Sequence, residues 1–410
     1  MRRNLGLLLA VVAVSWLAPA SAQEPGALAQ ITALLEDRAR AMHEGDRAGW
    51  MAPLADDDPA FVRRQGFLFD GFQELGLADF RLDLGTTWPE LTGRRERRAY
   101  RDDVKVLHVE ERSRIRGYDR QPSLEDQYLT FVRRGGRWLL VSDSDLGDLA
   151  IMSGRRLWEN GPIATRRSEH FVYVSHPGLT SSAGPVLEAA ERALRRVERV
   201  WPLPWRKKVM ILAPSSTGEL ERMIQATFDL DVFVAFAASG VDRATDWDLV
   251  GHRIMLNRST FEGRSPSSNE EILTHELLHI ATREDAGPMT SIFVEEGVAE
   301  WVTGGASTSL LASAVRSGDF DRRLPLDHEF TAGSGTEIVT AYQESSTAIT
   351  FAADAYGDRA ISAFYRTLGE PRRDAGTWRY HTDRAMRQAF GVGYRRFERA
   401  WAGWVEEELG

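Results

Sequence analysis

The chain has no cysteine. Disulfides, thiolate nucleophiles and sulfur-bound metal are therefore excluded, and any metal has to be held by His, Asp or Glu. Lysine is nearly absent: Lys105, Lys207 and Lys208 are the only three among 51 basic residues. The formal charge is −9, and an acidic chain lacks the basic face that nucleic acid requires, so no nucleic-acid partner is expected. No Gly-Lys pair occurs, which excludes a Walker phosphate loop, and no Gly-x-Ser-x-Gly occurs, which argues against a serine hydrolase. One long apolar run exists, Leu5 to Ala18. It is shorter than the ~20 residues a membrane-spanning helix needs.

That run has the features of a secretory leader. Arg2 and Arg3 precede it, and Pro19-Ala20-Ser21-Ala22 supplies small residues at a cleavage site. The expectation is a signal peptide over residues 1–22, cut after Ala22, and a secreted or periplasmic protein with no membrane attachment thereafter. An uncleaved anchor is the alternative. With 410 residues, 43% hydrophobic and 27% charged, the chain should be globular with at least two domains.

Apolar residues Ile31, Leu34, Leu35 and Met42 fall at helical spacing. Gly45 ends that helix and Asp46 caps a second, which carries Trp50. A third follows Pro59, with Phe61, Phe69 and Phe72. The period then becomes two: Phe80, Leu82 and Leu84, then Val104 and Val106. Tyr128 to Val132, Gly135-Gly136 and Trp138 to Val141 read as a β-hairpin. Helices followed by a curved antiparallel sheet make an α+β arrangement. Through Met42-His43-Glu44-Gly45-Asp46, the aromatic third helix and the Arg134-Gly135-Gly136-Arg137-Trp138 hairpin, residues 23–160 resemble the cone-shaped nuclear-transport-factor-two-like domains. Such cones serve as ligand pockets, active sites or packing modules. His43 and His108 read as exposed or structural.

A junction falls near Gly161-Pro162. Beyond it Phe171 to Val174 and Val209 to Leu212 read as strands, and Pro185 to Val200 as an amphipathic helix. Glu219 to Phe228 reads as helix, Phe233 to Ala237 and Ile254 to Leu256 as strands, and the chain after Ser268 as almost entirely helix.

Thr274 to His279 contains His-Glu-x-x-His. Ser268-Asn269-Glu270-Glu271 reads as the capping box that opens its helix. Residues four apart share a helix face, so His275 and His279 can give a metal two ligands. Glu276 sits beside them as proton acceptor for water activated by the metal. Phe293 to Trp301 reads as another helix, with Glu296 and Glu300 one turn apart. A catalytic zinc takes three protein ligands and keeps an open position; His275, His279 and Glu296 would supply them. Glu300 can accept a hydrogen bond from a ligand imidazole. Glu295 points about 100° away from Glu296. Gly297 and Ala299 are small residues of the kind found where helices cross closely.

His275, Glu276, His279, Glu296, Gly297, Ala299 and Trp301 resemble the pattern of the gluzincin metallopeptidases, the thermolysin and aminopeptidase N group of the MA clan. The resemblance spans residues 166–410. It implies a zincin-type domain with a small mixed sheet, an active-site helix and a helical C-terminal part, binding Zn2+ and cleaving a peptide or protein substrate. The Gly-x-Met-Glu-Asn motif of aminopeptidase N is absent, so that specificity does not transfer. Ala341 to Ser346, Ile349, Phe351 and Ala355-Tyr356-Gly357 resemble the helix that follows the zinc site in this clan. By that resemblance Tyr342 is the candidate donor to the developing oxyanion, with Tyr380 and His381 as runners-up. Either Phe233–Ala237 or Arg253–Asn257 would be the edge strand that pairs with substrate. The alternative function is a catalytically silent peptidase-fold protein that uses the N-terminal cone for a ligand or partner.

Overall fold

The computed structural model describes residues 24–85, 90–100, 103–225, 230, 233–242, 248–287, 289–330, 334–370 and 377–410. The leader expected over residues 1–22 lies outside them. The fold is α+β. Its front half runs α1 (Glu24–Glu44), α2 (Arg47–Met51), α3 (Pro59–Leu75), β1 (Leu77–Leu84), α4 (Arg94–Tyr100), β2 (Asp103–Ile115), β3 (Ser123–Arg134) and β4 (Arg137–Ser142). Asp46 caps α2 by accepting from the Gly49 N–H, and Asp58 caps α3 with Pro59 in its first turn. The four strands form an antiparallel sheet in the order β1-β2-β3-β4, curled into a half-barrel. The β3–β4 turn places both Gly135 and Gly136 at positive φ, +54° and +79°. Two successive left-handed residues make the turn whose twist suits a hairpin.

Inside the curl, Phe80, Leu107, Val109, Leu129, Phe131 and Leu140 pack against Ile31, Leu35, Trp50, Phe69 and Phe72 from the helices. His43 and His108 are structural. His43 Nε2 meets the backbone of Phe80, and His108 Nε2 lies 2.8 Å from Asp126 while its ring stacks on Tyr128. Helix α4 is not evident from the sequence, because Arg94 to Tyr100 offers no apolar stripe. A local hydrogen bond from the Gly93 N–H to the Glu96 carboxylate holds its start.

The second half runs β5 (Ala164–Arg167), β6 (Phe171–Ser175), α5 (Ala183–Val200), β7 (Val209–Ala213), α6 (Thr217–Ile224), β8 (Ala235–Asp242), β9 (Asp248–Leu256), α7 (Arg258–Phe261), α8 (Pro266–Thr282), α9 (Ile292–Thr303), α10 (Ser309–Ser317), α11 (Gly335–Tyr356), α12 (Asp358–Gly369), α13 (Trp378–Phe390) and α14 (Tyr394–Leu409). Its mixed sheet has the order β5-β6-β7-β9-β8. β6, β7 and β9 are parallel, while β8 runs antiparallel on the outside of β9. Arg253–Asn257 is therefore not the edge: β9 is flanked on both sides, and β8 is the outer strand. Helix α6 stops at Ile224, earlier than its sequence suggests, because Gln225 turns to φ +51°. Phe228 lies outside the described residues.

Every residue of β6 and β7 is buried. Phe171, Tyr173, Val209 and Ile211 join the core formed with α5 and α8. The alternate residues Val172, Val174, Met210 and Leu212 join the front-half core with Phe72 and Trp158. Gly161-Pro162 separates two sheets in sequence, but the apolar packing is continuous across that junction.

Helices α9 and α11 cross at Gly297, where a Cβ would stand 2.6 Å from the Ser345 carbonyl oxygen and 2.7 Å from Ile349 Cγ1. We expect Gly297→Val to destabilise the protein by about 1–3 kcal/mol through overpacking, measured by denaturant unfolding; wild-type stability would show that the helices can part freely.

Candidate active site

Helix α8 carries the His-Glu-x-x-His segment. Its N-cap is Ser265, whose hydroxyl accepts from the Ser268 N–H, and Pro266 opens the first turn. The capping box read at Ser268–Glu271 is thus already inside the helix, since Pro266 suits a first-turn position and extends the start upstream. Leu273, Leu277 and Ile280 are buried. His275 and His279 take the face turned toward α9.

Helix α9 presents Glu296 to both imidazoles. Its Oε2 lies 3.2 Å from His275 Nε2 and 3.4 Å from His279 Nε2, and the two ring nitrogens are 3.1 Å apart. A tetrahedral ion with ligands at about 2.0–2.1 Å requires ligand atoms about 3.3–3.4 Å apart. The observed triangle matches that spacing. Among the described residues, His275, His279 and Glu296 form the group able to hold a metal ion. Glu296 Oε2 is buried and has no hydrogen-bond partner, which is the condition of an atom whose partner is an ion. The three side chains keep 16%, 17% and 16% of their surface exposed.

The electrostatics agree with the geometry. Burial disfavours the charged form of Glu296, but His279 and His275 outweigh it and hold the carboxyl well below its usual range. Burial also opposes charge on His275, yet the Glu296 and Glu300 carboxylates raise its proton affinity well above that of a free imidazole.

Glu276 is buried, and burial raises its pKa. The Ala237 backbone in β8 partly offsets that effect. Glu300 Oε1 lies 3.3 Å from His275 Nδ1, on the ring edge opposite the triangle. Glu295 turns aside toward Arg283, at 3.7 Å. Tyr342 on α11 is half-buried against Phe330, with ring centroids 5.4 Å apart. Burial, then the charges of Glu296, Glu276 and Glu300, push its phenol up, so α11 brings it among the site carboxylates. Tyr380 and His381 are not gathered with them. They sit on α13, which packs against α12 and α14; Tyr380 is exposed and His381 buried.

No family model matches the chain, and no curated protein matches its sequence.

We expect elemental mass spectrometry to find about one divalent ion per chain, and His279→Ala to lose it. Affinity should weaken as pH falls, because ring nitrogens must shed protons to ligate. A chain that takes up no metal would show that the triangle closes on protons alone.

Proposed function

We propose that the protein is an exported zinc-dependent peptidase in which Glu276 is the general base. The observation that carries this reading is the triangle of His275, His279 and Glu296 donor atoms at tetrahedral spacing, with a second, buried carboxylate, Glu276, next in sequence to the first ligand. Zinc, when bound, supplies a Lewis acid that polarises the scissile carbonyl and lowers the pKa of water.

The side chains then divide the remaining work. Glu276 takes the proton of the attacking water and passes it to the leaving amine. Its raised pKa suits a group that must gain and release a proton in one cycle. Glu300 keeps His275 in the tautomer that leaves Nε2 free to ligate. Tyr342, its phenol kept protonated by burial and neighbouring carboxylates, donates to the oxyanion as the carbonyl becomes tetrahedral. β8, the outer strand of its sheet, offers backbone groups to an extended peptide. Residues 1–22 supply the export signal. Among the described residues no helix is long and apolar enough to cross a membrane.

Glu276→Gln should keep the metal and lose turnover by several orders of magnitude against a broad peptide library. A variant that turns over at the wild-type rate would overturn the assignment of the base. A zinc-loaded wild type inert to every peptide would favour the silent binding protein.

Tyr342→Phe should lower kcat by about 100-fold with little change in metal content. An unchanged kcat would reduce Tyr342 to packing.

A further inference from the structure

The turn between β2 and β3 leaves the front half and lies on the mixed sheet. Asp119 in that turn has 1% of its side chain exposed. Its Oδ2 accepts from the Ile115 N–H at 2.7 Å, closing the turn, and its Oδ1 accepts from Arg253 Nη2 at 2.7 Å. Arg253 belongs to β9. The neighbouring Arg120 makes two further links: its backbone N–H donates to the Val250 carbonyl at 2.7 Å, and its guanidinium donates to Glu284 at 2.7 Å. Glu284 lies in the turn that directly follows α8. Arg206 Nη2 secures the turn by donating to the Gly117 carbonyl at 2.9 Å.

The mixed sheet is shaped for this contact. A side chain at position 251 of β9 would overlap Asp119 Oδ1, and the residue there is glycine. Gly251 pairs with Gly240 of β8, and Arg253 with Ala238. The next residue back along β8 is Ala237, and β8 packs against α8, the helix that carries Glu276. β8 pairs with β9 on one side and also packs against β3 of the front half. A short line therefore runs from the turn through Arg253 and the β9–β8 ladder to Glu276. A second runs from Arg120 through Glu284 to the end of the helix bearing His275 and His279.

We infer that Asp119 and Arg120 are positioning residues for the hydrolytic site: the front half holds the strand and the helix that flank the triad in register. This rests on the peptidase reading for its kinetic consequence, but the mechanical coupling stands apart from it. Neither residue touches substrate or metal. Asp119 neutralises a guanidinium that is mostly buried, and its loss leaves Arg253 on β9 without that carboxylate partner.

The test uses the full chain with Asp119→Ala and, because that variant removes a buried charge, also Arg120→Ala, whose side chain is half-exposed. Metal content, kcat and KM, and hydrogen exchange of backbone amides are measured for each. We expect one metal per chain as in the wild type, kcat reduced by about 100-fold for Asp119→Ala and less for Arg120→Ala, and a smaller change in KM. Exchange should quicken in β8 and at the end of α8, and stay as in wild type in α12 to α14. Unchanged β8 exchange in both variants would overturn the inference. So would exchange quickened evenly along the chain, the signature of general destabilisation. If the wild type hydrolyses no peptide, the peptidase reading falls, and the exchange pattern still decides the coupling.

Discussion

A carboxylate removed from water has to meet positive charge, and the packing of three helices follows from how Glu296 meets it. Its Oε2 is buried without a hydrogen bond and faces two ring nitrogens. To bring it there, α9 must lie close to α8 on one side and to α11 on the other. Gly297, the next residue, removes the Cβ that would otherwise strike the backbone of α11. The same close approach brings Tyr342 of α11 among the carboxylates. The chemistry and the packing are thus one requirement: the helices are near because the charges must be, and a small residue lets them be near.

The sheet supplies the complementary constraint. A strand buried on one face alternates in polarity, whereas β6 and β7 are apolar on both. One face covers itself with α5 and α8, the helix that carries both histidines. The other is covered by α3 and Trp158 of the front half. The front half therefore does for the sheet what a second helical layer does in a three-layer fold. Its β2–β3 turn adds directional contacts, the Asp119–Arg253 pair and the Arg120 bonds, to that apolar cover.

Much of this was legible in the chain because it is local. The spacing of His275 and His279, the small residue at 297 and the Gly135-Gly136 turn are encoded within a few residues, and they stand as expected in the structure. So does the mixed sheet followed by helices. Boundaries were less legible. β2 runs Asp103–Ile115, well beyond the alternation at Val104 and Val106, because Glu111 and Ser113 face a polar part of the interior and break the apolar pattern. The choice of edge strand could not be made from composition, since β8 and β9 read alike and only the sheet order separates them. Helix α4 lacks any apolar periodicity to announce it. Farthest from view was the Asp119–Arg253 pair, whose members lie 134 residues apart and carry no motif. For Tyr380 and His381, runners-up under the resemblance, the sequence does not say which helix faces the triad.

The shared core has a consequence for the order in which the molecule can be made. Synthesis delivers the front half first. Until the strands through Leu212 have followed, the side of that core later covered by Val172, Val174, Met210 and Leu212 stays open. A front half that folds while the rest is still being added would stand with an uncovered apolar underside, open to a second copy in the same state.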